Sequence, residues 1–162
     1  RNATCLAIAP TGTISILADV SSGCEPNFAI SYVMTVLDNS RFVYTNPIFE
    51  KIAMDQGFYS PSLMADIAKI GSIQNFKNIP KKIKDVFVTS LDISPEWHIK
   101  VQAALQKYVD NSVSKTANLR NTATLKQIND TLILAWKSGC KGITVYREGS
   151  HPHQVISTGE RR

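Results

Sequence analysis

The chain has 162 residues, 43% of them hydrophobic and 19% charged, with a formal net charge of +5. A chain of this length buries roughly 70% of the surface it would expose unfolded, and its balance of apolar and charged residues excludes a disordered chain. No run of 18 apolar residues exists, so no membrane span is expected, and the lack of a recognisable secretory leader reads as a cytoplasmic setting. The mild positive charge suits an anionic ligand without demanding one. Cys5, Cys24 and Cys140 are odd in number, far apart and without Cys-x-x-Cys spacing. That argues against a disulfide framework or a zinc site, and for small buried apolar side chains.

The chain opens at Arg1 almost directly in a strand-like run, as a piece of a longer protein would. Thr4 to Ile8 reads as a short buried strand. The Pro10-Thr11-Gly12 break follows, then a short helix over Thr13 to Ala18. Asp19 to Pro26 is a loop. Phe28 to Leu37, rich in β-branched and aromatic residues, reads as a strand closed by an Asp38-Asn39-Ser40 turn. Asn46-Pro47 starts a helix that ends at Gly57, with Asn46 as cap and Pro47 in first position. Another helix runs from about Pro61 to Ile70 and stops at Gly71. Residues 72 to 92 are the least regular, with a helical fragment near Pro80 to Phe87.

Ser94-Pro95-Glu96 opens a helix on which Trp97, Val101, Ala104, Leu105, Tyr108 and Val109 share a face, the expected buried one. Ser112 to Leu119 reads as a strand with polar side chains. Thr124-x-x-Gln127 predicts a capping box. Behind it Leu125, Ile128, Leu132, Ala135 and Trp136 line one face of a helix that ends at Gly139, and Ile133 and Leu134 widen the stripe. Lys141 to Tyr146 is a strand. Helix, strand, helix, strand is the grammar of a parallel α/β sheet with crossover helices.

The break between Ile8 and Ile14 is the first place to look for chemistry. A strand that ends in a glycine-containing turn and feeds a helix aims backbone N–H groups at one spot. Gly12 permits close approach to the main chain, and Thr11, Thr13 and Ser15 offer hydroxyls. The combination suits a phosphate or diphosphate, and an ordinary strand–turn–helix connection is the alternative. Neither Gly-x-x-x-x-Gly-Lys-Ser/Thr nor Gly-x-Gly-x-x-Gly is present. Elsewhere, Asp19 and Glu25 flank a Ser21-Ser22-Gly23 turn. His98 in a first helical turn is expected at the surface. His151 and His153 are too few for a closed metal site. Tyr146-Arg147-Glu148 ends a strand where α/β proteins place ligands, with a structural ion pair as the alternative. The Lys77, Lys81, Lys82 and Lys84 cluster has no aromatic interleaving and reads as a solvated face. Neither a nucleic-acid polymer nor a membrane is expected as partner.

Three segments, "NATCLAIAPTGTISILADVSSGCEPNFAISYV", "LDISPEWHIKVQAALQKYVDNSVSKTANL" and "GCKGITVYREGS", resemble in order the large catalytic subunit of ribonucleotide reductase, above all its adenosylcobalamin-dependent class. The stretch from about Arg41 to Val88 is loosely matched. The resemblance implies an α/β fold, the C-terminal portion of a ten-stranded α/β barrel over residues 1–150, followed by a polar tail over 151–162. It implies that Pro10, Thr11, Gly12, Thr13 and Ile14 bind the phosphates of a ribonucleotide substrate. It also implies that Ser21, Ser22, Gly23 and Glu25, with Pro26, form a wall of the same region. Cys24 stands where the family usually carries an aliphatic residue.

The family's radical cysteine lies in an Asn-x-Cys-x-Glu setting that this sequence lacks, and no reducing cysteine pair is identifiable. Other departures are Met34-Thr35 in place of arginine, Arg120 in place of proline, and His151-Pro152-His153. The expectation is therefore a fragment of a vitamin B12-dependent ribonucleoside-diphosphate reductase. It would supply substrate-phosphate recognition, contain no catalytic residue and no metal site, and be inactive alone. The remainder of the catalytic subunit is its expected partner, and adenosylcobalamin the cofactor of the complete enzyme. The alternative is a non-catalytic nucleotide- or phosphate-binding remnant. A decayed or incomplete product would expose apolar barrel faces.

Overall fold

The computed structural model describes residues 1–35, 41–150 and 156–157. In chain order the elements are α1 (Gly12–Leu17), β1 (Ser31–Thr35), β2 (Arg41–Thr45), α2 (Pro47–Asp55), α3 (Pro61–Ile70), α4 (Lys81–Val86), α5 (Pro95–Gln106), β3 (Thr116–Leu119), α6 (Leu125–Lys137), β4 (Thr144–Arg147) and β5 (Ile156–Ser157). A 3-10 turn at Ser90–Asp92 precedes α5. The chain divides into two compact units. One is built from Arg1–Pro26 and the chain from Ile93 through β4; the other comprises Asn27–Asp92 with β5.

In the unit built around Asn27–Asp92, helix starts follow local chemistry. The Asn46 side chain accepts from the amides of Ile48 and Phe49, and Ser60 accepts from Leu63. Proline holds the first helical position in both helices, where its missing N–H costs nothing. Gly71, at φ 82°, stops α3 as a left-handed residue. The strand expected over 28–37 is found as β1. It pairs antiparallel with β2, from Ser31 opposite Thr45 to Thr35 opposite Arg41. No strand is expected from the sequence at β2, although Arg-Phe-Val-Tyr-Thr has strand-forming composition. Strand order is β2-β1-β5. The Asp38-Asn39-Ser40 turn lies outside the described residues. Ile30, Phe49, Ala53, Leu63, Met64, Ile67, Ile73, Ile79 and Phe87 form the core, with Phe49 meeting Phe87 edge-on at 5.3 Å between centroids.

The other unit realises the expected crossover. β3 and β4 pair parallel, joined by α6, and α5 packs on β3 and α6. The capping box is present in both directions. Gln127 N–H donates to Thr124 Oγ1 at 3.2 Å, and Thr124 N–H donates to Gln127 Oε1 at 2.9 Å.

Two expectations are corrected here. Thr4–Ile8 is extended but not buried, and its one ladder contact is a parallel bridge from Ile8 to Val113. Polar bonds hold it instead. Cys5 and Leu6 N–H both donate to Asp110 Oδ2, and Asn111 and Ser114 N–H donate to the carbonyls of Leu6 and Ile8.

The helix faces are the second correction. On α5 the buried residues are His98, Ile99, Gln102 and Gln106, whereas Trp97 and Val101, and Tyr108 just past the helix end, are exposed. On α6, Thr131 and Ala135 are buried, while Leu125 is 86% and Trp136 73% exposed. The α5 reversal has a polar cause. Gln102 Nε2 donates to the carbonyls of Val113 and Gly142 at 3.1 and 2.6 Å, and Gln106 bonds Asn111 O and Lys141 N. Backbone groups in the segments leading into β3 and β4 thereby gain partners from the two glutamines.

Candidate functional site

The turn from Pro10 to Ile14 has a backbone that its sequence does not favour. Thr11 sits at φ 47°, ψ 27°, in the left-handed region. For a β-branched residue that conformation costs on the order of 1–2 kcal/mol, so the surrounding structure imposes it. Thr11 is the cap residue of α1, but no side chain caps that end. Helix geometry leaves the N–H groups of Gly12, Thr13 and Ile14 without intrahelical acceptors, and all three residues are exposed. Gly12 faces open space; a Cβ there would touch nothing within 4 Å. Thr11 Oγ1 is buried and makes no hydrogen bond, an uncommon state for a buried hydroxyl. Ser15, expected as a further donor, is instead buried, and its hydroxyl is spent on Gly12 O at 2.7 Å.

The second predicted segment lies against this turn. Ser22 Oγ donates to Pro10 O at 2.9 Å. Gly23, at φ 50°, approaches so closely that a Cβ on it would stand 3.3 Å from Thr11 Oγ1 and 3.5 Å from Ala9 O. Ser21 is exposed and makes no bond of this kind. Glu25 is anchored on β3: its Oε1 accepts from Thr116 N–H at 2.6 Å and its Oε2 from Lys115 Nζ at 3.2 Å. Folding thus brings Pro10–Ile14 and Ser22–Glu25 together, as one pair of loops.

Two participants escaped the sequence reading. His98, expected at the surface, is 1% exposed, with Nδ1 2.8 Å from Lys115 Nζ. Lys115 is itself buried. A signal for it existed, since Val113, Lys115, Ala117 and Leu119 alternate on the buried face of one extended segment. Of the cysteines, Cys5 is exposed, against expectation, and Cys24 and Cys140 are half-buried. Burial pushes the Cys24 thiol up, Glu25 adds to this, and Lys115 draws it partly back. At the end of β4, Arg147 donates to Asn121 O, and Glu148 Oε2 accepts from Asn121 N–H at 3.4 Å. That pair therefore ties strand ends together. No group of three or more metal-ligating side chains occurs among the described residues; His151 and His153 lie outside them.

The parallel β-α-β unit formed by β3, α6 and β4 makes this an α/β protein. The family described as "Ribonucleotide reductase, barrel domain" matches residues 1–146, and this chain belongs to that family. It is 42% identical over 158 residues to a vitamin B12-dependent ribonucleoside-diphosphate reductase of Mycobacterium tuberculosis (strain CDC 1551 / Oshkosh), covering 98% of this chain and 23% of that protein. It is 45% identical over 159 residues to the protein of that name from Thermoplasma acidophilum, covering 98% and 21%. Among solved structures, the alpha subunit of the Actinobacillus ureae class Id ribonucleotide reductase superposes with a TM-score of 0.77 at 28% identity, over 92% of this chain and 27% of that one. The chain thus spans under a quarter of the length of these curated relatives. No described helix is long and apolar enough to cross a membrane.

Proposed function

We propose that this chain is the substrate-phosphate-binding part of a ribonucleotide reductase catalytic subunit, and that a ribonucleoside diphosphate is the substrate. Support comes from family membership over residues 1–146 and from the names of the relatives. The single observation that carries the site is Thr11, held left-handed with its hydroxyl buried and unpartnered beside exposed helix-start amides. The N–H groups of Gly12, Thr13 and Ile14 donate to a terminal phosphate, with the Thr11 hydroxyl at their side. Hydrogen bonds to a charged acceptor contribute about 1.5–3 kcal/mol each. Lys115, the cation nearest in the network, has its donors engaged by Glu25, His98 and Thr116 O. Lys115 therefore offers no free donor to a phosphate, and recognition falls to the backbone amides of the turn. In the complete subunit, β3 and β4 are strands of a ten-stranded barrel, closed by the remainder of the polypeptide.

The relatives' names point to adenosylcobalamin, whose homolysis supplies a radical when it is bound. The described residues do not fit it: His98, the one described histidine, is buried and faces Lys115. The cofactor belongs with the remainder of the subunit, as does the radical cysteine that this sequence lacks. The three free cysteines suit a reducing cytoplasm.

The test is reconstitution in trans. This chain is combined with a polypeptide corresponding to the rest of a relative, adenosylcobalamin and a dithiol, and deoxyribonucleotide formation is assayed. Activity is expected only in the mixture. Persistent inactivity with both pieces folded would leave the phosphate-binding remnant as the better description.

A further inference from the structure

Lys115 is charged, buried, and complete in its bonding. Its three protons meet Glu25 Oε2 at 3.2 Å, Thr116 O at 3.1 Å and His98 Nδ1 at 2.8 Å. An ammonium only donates, so Nδ1 accepts and the neutral ring carries its proton on Nε2. Glu25 in turn takes Thr116 N–H on its other oxygen at 2.6 Å. Two and three residues earlier, Gly23 and Ser22 press on Thr11 and Pro10. A continuous line of contacts therefore runs from α5 through β3 and Glu25 to the turn.

We propose that Lys115 is a positioning residue for the phosphate site, fixing Glu25 so that the Ser22–Gly23 segment holds Thr11 in its left-handed state, with His98 as the acceptor that orients the amine. This rests on the reading of Pro10–Ile14 as that site. A buried ion pair is poor at adding net stability compared with apolar packing, and its better-attested use is to specify one geometry. Here the geometry specified is the close approach of Gly23 to Thr11. The lysine itself has no proton left for a ligand, so its influence passes through Glu25.

The experiment uses the full chain, with ADP and inorganic pyrophosphate as probes, in Lys115→Met, Glu25→Gln, the double variant, His98→Asn and His98→Leu. Affinity is read by calorimetry, and the backbone amide resonances of Gly12, Thr13, Ser22 and Gly23 by heteronuclear NMR. Lys115→Met and Glu25→Gln are expected to move those resonances, leave α6 resonances in place, and weaken ADP binding about tenfold. The double variant is expected to be no weaker than either single one. His98→Asn, which keeps an acceptor, should retain affinity that His98→Leu loses. Unmoved turn amides and wild-type affinity in the folded variants, or additive losses, would overturn the proposal. If Lys115→Met does not fold, Glu25→Gln decides. If the wild-type chain binds neither probe, the phosphate reading falls on its own, and the amide shifts alone then decide whether Lys115 holds the two loops together.

Discussion

Single residues here carry conformations that composition does not reveal. Glycine at position 23 is demanded twice, by φ 50° and by the 3.3 Å approach to Thr11 Oγ1. Gly23→Ala should lower unfolding free energy by about 1–2 kcal/mol, measured by urea denaturation; an unchanged midpoint would show that the two loops are not in contact. Asp110 is the second informative residue. The amides of Cys5 and then Leu6 hold its carboxyl below the usual carboxylate range. Because its folded pKa is depressed, its hold on the chain start is present above the unfolded value, near about 4, and is lost as pH falls through the folded one. The protection of the Cys5 and Leu6 amides, taken relative to their intrinsic exchange rate at each pH, should therefore fall on acidification, and Asp110→Asn should remove that pH dependence of protection. Protection factors at these amides that ignore both pH and the substitution would contradict the contact.

At the scale of elements, caps and stops were legible and faces were not. Asn46-Pro47, the Pro61 start, Gly71 and the Thr124–Gln127 box act through bonds within a few residues, so local sequence contains them. Burial depends on what packs across, and there α5 misled. Periodicity assigns Trp97, Val101 and Tyr108 to the interior, yet Gln102 and Gln106 are inside, Gln102 donating to the carbonyls of Val113 and Gly142 and Gln106 to that of Asn111. Lys115 and His98 escaped for a similar reason, since they partner each other and Lys115 also pairs with Glu25, which lies 90 residues away in the chain. Gln102→Leu keeps the volume and removes both donors. It should cost about 2–3 kcal/mol, the penalty for stranding buried carbonyls. A neutral or stabilising result in chemical denaturation would mean that apolar packing, not the glutamine, is what this face wants. The candidate site was half legible: Pro10–Ile14 stands out by its own break and by family resemblance, whereas the strain at Thr11 and the engagement of Ser15 emerge only in three dimensions.

For the whole molecule, exposed apolar side chains are the main feature. Trp97 and Val101 on α5, Tyr108 just beyond its end, and Leu125, Leu132, Ile133 and Trp136 on α6 are exposed, surface that a complete catalytic subunit would have the means to cover. Leu125→Ser with Trp136→Ser should leave stability within about 0.5 kcal/mol, because neither side chain packs. It should reduce binding of a hydrophobic dye and weaken reconstitution in trans; full reconstitution by this variant would show that the face is not covered there. The proposed phosphate site is tested most cleanly at Gly12, because a Cβ at that position faces open space. The decisive measurement is the dissociation constant of a ribonucleoside diphosphate for the wild-type chain and for Gly12→Ala, with unfolding free energies measured in parallel. Substrate held at the Gly12–Ile14 amides predicts unchanged or slightly higher stability with affinity reduced about tenfold or more. Equal affinity in the two proteins would contradict it.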